Sequence, residues 1–158
     1  MDLLLWRHAQ AHEALAGFDD MSRPLTQKGE GQAARVATWL DRQLPESARV
    51  LVSPALRTEQ TARALKRKFK LRDELVPESS ADDVLALIKW LPETGPQNAR
   101  PVLLVGHQPY LGQIAARLLD LPESACNFHK GALWWLRGVY HDGQVRTTLL
   151  TVISPQLI

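Results

Sequence analysis

The chain has 158 residues, 45% of them hydrophobic and 23% charged, a globular composition that excludes intrinsic disorder. Nineteen Lys+Arg against 17 Asp+Glu leave a net charge of only +2, short of the basic excess of a dedicated nucleic-acid binder, and the single cysteine, Cys126, excludes an internal disulfide or a cysteine-based zinc site. Apolar runs are too short to cross a bilayer, and the run at 3–6 is bracketed by Asp2 and Arg7 without the features of a signal peptide, so the expectation is one soluble, cytoplasmic domain over 1–158.

In chain order, residues 2–6 read as a buried strand ending at Arg7 and His8. A polar loop follows through Pro24. Thr26 caps a helix whose inward face is Ala33, Val36, Ala37, Leu40 and Leu44, at spacings of three and four. Residues 49–53 form a second strand, Pro54 takes the first-turn position of a helix, and that helix runs to about Lys70. Residues 74–76 suggest a short third strand, and Ser80 or Asp82 caps a helix showing Val84, Leu87, Ile88 and Leu91. The stretch 92–101, with three prolines, a glycine and Asn98, is the most loop-like. The apolar strand at 102–105 stops at Gly106 and His107, and Pro109 opens a helix with Leu111, Ile114, Ala115, Leu118 and Leu119 on one side. Strands at 132–136 and 147–153, joined by a turn at Asp142 and Gly143, close the chain.

Alternating strands and helices predict a layered α/β fold with a mainly parallel sheet, and the closing hairpin makes one strand antiparallel. Ligands of such sheets bind beyond the carboxyl ends of the strands. Three positions therefore converge there: Arg7-His8, the 53–57 segment with Arg57, and Gly106-His107. Two guanidiniums and two imidazoles at one crevice make an anion site, because arginine forks match phosphate oxygens. A neutral histidine so placed is a nucleophile toward phosphorus.

These residues carry a family resemblance. Leu5-Trp6-Arg7-His8-Ala9 resembles the Arg-His-Gly/Ala signature of the histidine phosphatase (phosphoglycerate mutase-like) superfamily. Arg23-Pro24-Leu25-Thr26 followed by Gly29 resembles its Arg-Pro-Leu-Thr-x-x-Gly segment, and Ser53-Pro54-Ala55-Leu56-Arg57 continuing through Gln60-Thr61-Ala62 is similar to its Ser-Pro-x-x-Arg-x-x-Gln-Thr-Ala element. The strand at 102–107 resembles the one carrying the family's second histidine. The blocks keep the family order from residue 3 to about 119, and the short chain looks most like the SixA branch of phosphohistidine phosphatases. The resemblance implies a three-layer α/β/α sandwich with a mixed, mostly parallel six-stranded sheet. It implies that His8 is a transiently phosphorylated nucleophile, that Arg7, Arg57 and His107 complete the phosphate pocket with Arg23 nearby, and that no metal or cofactor is needed.

The family's usual proton donor is a carboxylate after the third strand, where Glu78 falls. Phosphohistidine has less need of one: protonated on its second ring nitrogen, it leaves as neutral imidazole, whereas an alkyl phosphate requires a donor. The favoured expectation is thus removal of phosphate from phosphohistidine, on a phosphotransfer protein. The alternatives are a phosphomonoesterase for a small phosphorylated metabolite and a binding module without turnover. A shallow pocket favours a protein substrate and a deep, lidded one a metabolite. Outside this constellation, His12, His129 and His141 read as surface or packing residues. Six cations from Arg63 to Arg72 read as a solvated face or a docking patch for an acidic partner, and Trp134 and Trp135 face opposite sides of a strand.

Overall fold

The structure is a computed structural model and describes residues 1–91, 95–96 and 100–158. Its strands are β1 (Asp2–Arg7), β2 (Arg49–Val52), β3 (Lys70–Leu71), β4 (Trp90–Leu91), β5 (Gly95–Pro96), β6 (Val102–Gly106), β7 (Leu133–His141) and β8 (Gln144–Ile153). Its helices are α1 (Gln27–Gln43), α2 (Leu56–Arg63), α3 (Ala81–Leu87) and α4 (Tyr110–Leu119). Six strands form one sheet in the order β3-β2-β6-β1-β7-β8, in which β7 alone opposes the others; β4 and β5 pair separately.

The pleat of β1 sorts its residues between two cores. Leu3 and Leu5 pack with Leu51, Val102 and Leu104 against Val84 and Ile88 of the α3 region and Leu111 and Ile114 of α4. Leu4 and Trp6 pack with Val50, Val52, Leu103 and Val105 against Val36, Ala37 and Leu40 of α1 and Ala62 of α2. Helices therefore cover both faces, giving the expected α/β/α sandwich. Both faces of the central strands are covered, so they read as unbroken apolar runs. Each large aliphatic side chain buried this way contributes roughly 1.5–3 kcal/mol.

Local chemistry sets the ends of the elements. The Thr26 hydroxyl accepts the Gly29 amide at 3.0 Å, capping α1. Gly29 is required there, because a Cβ would overlap the Gln10 carbonyl oxygen. Asp142 and Gly143, with φ of 51° and 77°, make the tight hairpin turn between β7 and β8.

Several boundaries differ from the sequence reading. Pro54 lies one residue before the Ala55 cap of α2, outside the helix, and α2 stops at Arg63, with Lys66 left-handed at φ 54°. The third strand is Lys70–Leu71, exposed and without an apolar pattern, while 74–76 falls at a 3₁₀ turn (Asp73–Leu75) that buries Leu75. Ser80, not Asp82, caps α3, accepting the Asp83 amide at 3.1 Å. Lys89, at φ 56°, then turns the chain into β4, which takes Leu91 off the helix. Pro109 is the cap residue of α4 rather than its first residue. The closing hairpin is longer than expected because its outer half is exposed and unpatterned. Most of the loop expected at 92–101 lies outside the described residues.

Trp134 and Trp135 do face opposite sides, and both pack: Trp134 stacks on Phe128 at 4.7 Å, and Trp135 sits edge-on to Trp39 at 6.2 Å. Three of the cations between 63 and 72 are paired, Arg63 with Glu59, Arg67 with Asp41 and Arg72 with Glu74. Among the described residues no helix is long and apolar enough to cross a membrane.

Candidate active site

The parallel strands β1, β2 and β6 end together, and the chain leaving each carries part of one crevice. Arg7 and His8 leave β1, Ser53 and then Arg57 in the first turn of α2 follow β2, and His107 follows β6. The His8 and His107 rings lie 5.3 Å apart, between centroids, tilted by 55°. Nη2 of Arg57 lies 3.5 Å from Nδ1 of His107. Arg57 and both histidines are nearly inaccessible.

Hydrogen bonds fix the tautomers of both rings. Nδ1 of His8 is 2.7 Å from the Ala9 carbonyl oxygen, which only accepts, so Nδ1 carries the proton and Nε2 the lone pair. In His107, Nδ1 faces an arginine, which only donates, so Nε2 is protonated and donates to Ser53 Oγ at 2.8 Å. Burial, reinforced by Arg57 and Arg7, lowers the His8 pKa to about 3, although the Ala9 bond raises it. Burial and then the neighbouring His8 and Arg57 lower that of His107 to about 2. Both imidazoles are therefore neutral at physiological pH.

The two arginines are held by their fork nitrogens and left open elsewhere. Nη1 of Arg7 donates to the Phe128 carbonyl at 2.6 Å, and Nη1 of Arg57 donates to the Asp20 carbonyl at 2.8 Å. Among the described residues, the buried side-chain nitrogen and oxygen atoms without a hydrogen-bond partner are Nε of Arg7 and Nε of Arg57. Two orphaned N–H groups on the two cations beside the histidine pair are what an oxyanion would satisfy. Burial lowers both guanidinium pKa values, helped at Arg7 by the charge of Arg57, and at Arg57 opposed by the charge of Asp20 and helped by that of Arg23, so both cations favour a bound anion.

Arg23 and Glu78 stand outside this group. Arg23 donates to Asp20 at 2.9 Å and to the His12 carbonyl at 2.6 Å, and bears on the crevice only through Asp20 and its charge. Glu78 is exposed, and its charge is felt at Arg57. Sequence reasoning missed two participants. Ser53 was placed at the crevice without its role as partner of His107. Asp20, whose carboxylate is 3.1 Å from Nη2 of Arg57, lies in a stretch that the sequence shows only as a polar loop. The only signal for Asp20 was its place three residues before Arg23. An open groove of about 330 Å³ continues past Arg7, lined by Gln10, Lys28, Gln32 and Lys130.

Residues 3–80 match the histidine phosphatase superfamily (branch 1). The chain is 35% identical over 121 residues to the phosphohistidine phosphatase SixA of Escherichia coli K12, covering 75% of this chain and 74% of that one. It is 30% identical to the SixA homolog of Haemophilus influenzae, over 75% of this chain and 77% of the other. A solved structure of the protein histidine phosphatase SixA with tungstate superimposes with a TM-score of 0.79 at 28% identity, covering 99% of each chain. The sheet order, the crevice at the strand ends and these similarities together place the chain in the histidine phosphatase superfamily, among the SixA-like enzymes.

Proposed function

We propose that the protein is a metal-independent phosphatase that removes phosphate from phosphohistidine, borne on a phosphotransfer protein, through a phosphorylated His8. The observation that carries this is the His8 tautomer, with its Nδ1 proton held by the Ala9 carbonyl and its Nε2 lone pair free. The Nε2 lone pair attacks phosphorus and forms the new P–N bond. The substrate's own P–N bond breaks, and its electron pair leaves with the substrate imidazole. If that imidazole already carries a proton on its other nitrogen, it departs neutral and no acid is required. Phospho-His8 keeps its Nδ1 proton, so water displaces it in the same way, returning neutral His8 and dihydrogen phosphate.

Arg7 and Arg57 supply the positive charge for which other phosphatases use a metal, in a buried site where such charge is strongly felt. Neutral His107 sits where it takes up a proton as the anion binds and donates it as a hydrogen bond. The groove beside Arg7 leaves the crevice open to a protein surface, which favours a protein substrate over a free metabolite. The SixA name of the relatives points the same way.

Rapid quenching with phosphorus-labelled phosphohistidine protein should leave acid-labile, base-stable label on the wild type. His8→Ala should leave none and lose more than about 10³-fold in turnover. Label on another side chain, or activity confined to alkyl phosphate esters, would refute the proposal.

A further inference from the structure

Asp20 is a surprising group to find beside a phosphate pocket. Its carboxylate lies 3.1 Å from Nη2 of Arg57 and 2.9 Å from Nε of Arg23, and its backbone carbonyl takes Nη1 of Arg57 at 2.8 Å. The same Arg57 Nη2 is 3.5 Å from Nδ1 of His107. One guanidinium nitrogen thus separates a carboxylate from an imidazole of the anion site. The Asp20 side chain is 49% exposed against 4% for Arg57, so it faces solvent beside the buried anion site. A bare phosphate dianion at Arg57 and His107 is repelled by this carboxylate. A substrate whose leaving group carries a positive charge or an N–H turns the same carboxylate into a partner.

We propose that Asp20 receives the leaving group: its carboxylate accepts a hydrogen bond from the free ring N–H of the substrate imidazole and so selects phosphohistidine over phosphate esters. This deepens the phosphohistidine reading and rests on it. Transfer then runs between two similarly dressed imidazoles. The Ala9 carbonyl holds the far proton of His8, and Asp20 holds the far proton of the substrate ring. As the new P–N bond forms and the old one breaks, neither proton moves; positive charge passes from the departing ring to phospho-His8. A carboxylate at the substrate ring also raises that ring's proton affinity, keeping the protonated, reactive form populated to higher pH. Arg23 is the positioning residue that holds the carboxylate from its other side.

A structural role and a leaving-group role have opposite signatures. If Asp20 only positions Arg57, Asp20→Asn weakens phosphate binding and slows every substrate alike. If it receives the leaving imidazole, three changes follow. Turnover of phosphohistidine protein falls about 10–100-fold, the value of a charge-assisted hydrogen bond. Hydrolysis of an aryl phosphate ester rises, and inorganic phosphate inhibits about 2–10-fold more tightly, because a like charge has gone. The alkaline limb of the phosphohistidine pH profile moves to lower pH. Equal losses on both substrates, or unchanged or weaker inhibition by phosphate, overturn the role of Asp20 while leaving the substrate reading intact. A wild type without turnover of phosphohistidine overturns the substrate reading itself. The inhibition measurement with inorganic phosphate, run on aryl ester turnover, reads the charge effect whatever the natural substrate.

Discussion

The two halves of the crevice are built by different means. On the His8 side, backbone does the holding: the Arg7 amide donates to Ala132 at 3.0 Å, the His8 amide to Gly106 at 3.1 Å, and the Gly131 amide returns to the His8 carbonyl at 3.0 Å. The His8 ring is itself fixed by a backbone carbonyl, that of Ala9. On the other side, His107 and Arg57 come from separate elements; the Ser53 side chain holds the ring, and Asp20 holds the guanidinium by its carboxylate as well as its backbone carbonyl. Backbone bonds survive almost any substitution, whereas side-chain bonds do not. His8 is therefore tied to the sheet by backbone, while the half with Arg57 and His107 is open to change by single residues.

The sharpest way to break this contrast is to remove each arginine in turn. Arg7→Ala and Arg57→Ala each delete oxyanion donors and should lower kcat/KM by about 10²–10³-fold. Arg57→Ala should be the more damaging, because it also leaves the Asp20 carboxylate facing the anion with only Arg23 to balance it. On an aryl phosphate ester, adding Asp20→Asn to Arg57→Ala should then recover more of the loss than adding it to Arg7→Ala. Steady-state kinetics of the four variants decide this. Equal effects of the two single arginine substitutions, with no recovery in the first double variant, would show that the two sides are equivalent.

The halves should resemble each other in acid, since each buries one neutral imidazole. The folded-state values, about 3 for His8 and about 2 for His107, lie below the ordinary 6.5. The unfolded chain therefore binds protons first as the pH falls. Stability is complete above the unfolded value and is lost from about pH 6 downward, by about 1.4 kcal/mol per pH unit for each imidazole. Denaturant unfolding between about pH 6 and about pH 4 should show the two-proton slope in the wild type and one proton less in His8→Gln. Saturating orthophosphate should flatten the slope, because a bound anion raises both folded values. A His8→Gln slope equal to that of the wild type would mean that His8 is charged in the fold.

What the sequence revealed follows the same division. β1, β2 and β6 were legible because each is an apolar run stopped by a polar or charged residue, and those stops are Arg7, Ser53 and His107. α1 was legible from Thr26 and the spacing of Val36, Ala37 and Leu40. β3 was not, because its two residues, Lys70 and Leu71, are both exposed and bury no apolar side chain. The early end of α2 was hidden because lysine at a left-handed position carries no turn signature. In the site, residues standing at strand ends could be placed, but contacts made across the fold could not. Asp20 meets Arg57 from 37 residues away, and Ser53 meets His107 from 54 away, so no local spacing records either pair.

The smallest of these effects tests the side-chain half most directly. Ser53 is fully buried, its amide is tied to the Val105 carbonyl at 3.0 Å, and its hydroxyl is 2.8 Å from Nε2 of His107. The serine is thus anchored by the sheet, and through it the sheet orients the second histidine. Ser53→Ala keeps the backbone anchor and removes the acceptor, leaving the Nε2 proton of His107 buried without a partner, at a cost of about 1–3 kcal/mol. The ring can avoid that cost by moving its proton to Nδ1, which then faces the cation of Arg57 and disturbs the contact that shapes the anion site. Turnover should fall by about 5–10-fold, corresponding to roughly 1–1.4 kcal/mol, while the His8 phosphoenzyme still forms. Nitrogen NMR should find His107 protonated at Nε2 in the wild type and shifted toward the other tautomer in Ser53→Ala, with His8 unchanged at Nδ1. Full turnover together with an unshifted His107 tautomer would mean that the serine does not orient the ring, and that both halves of the crevice are set by backbone alone.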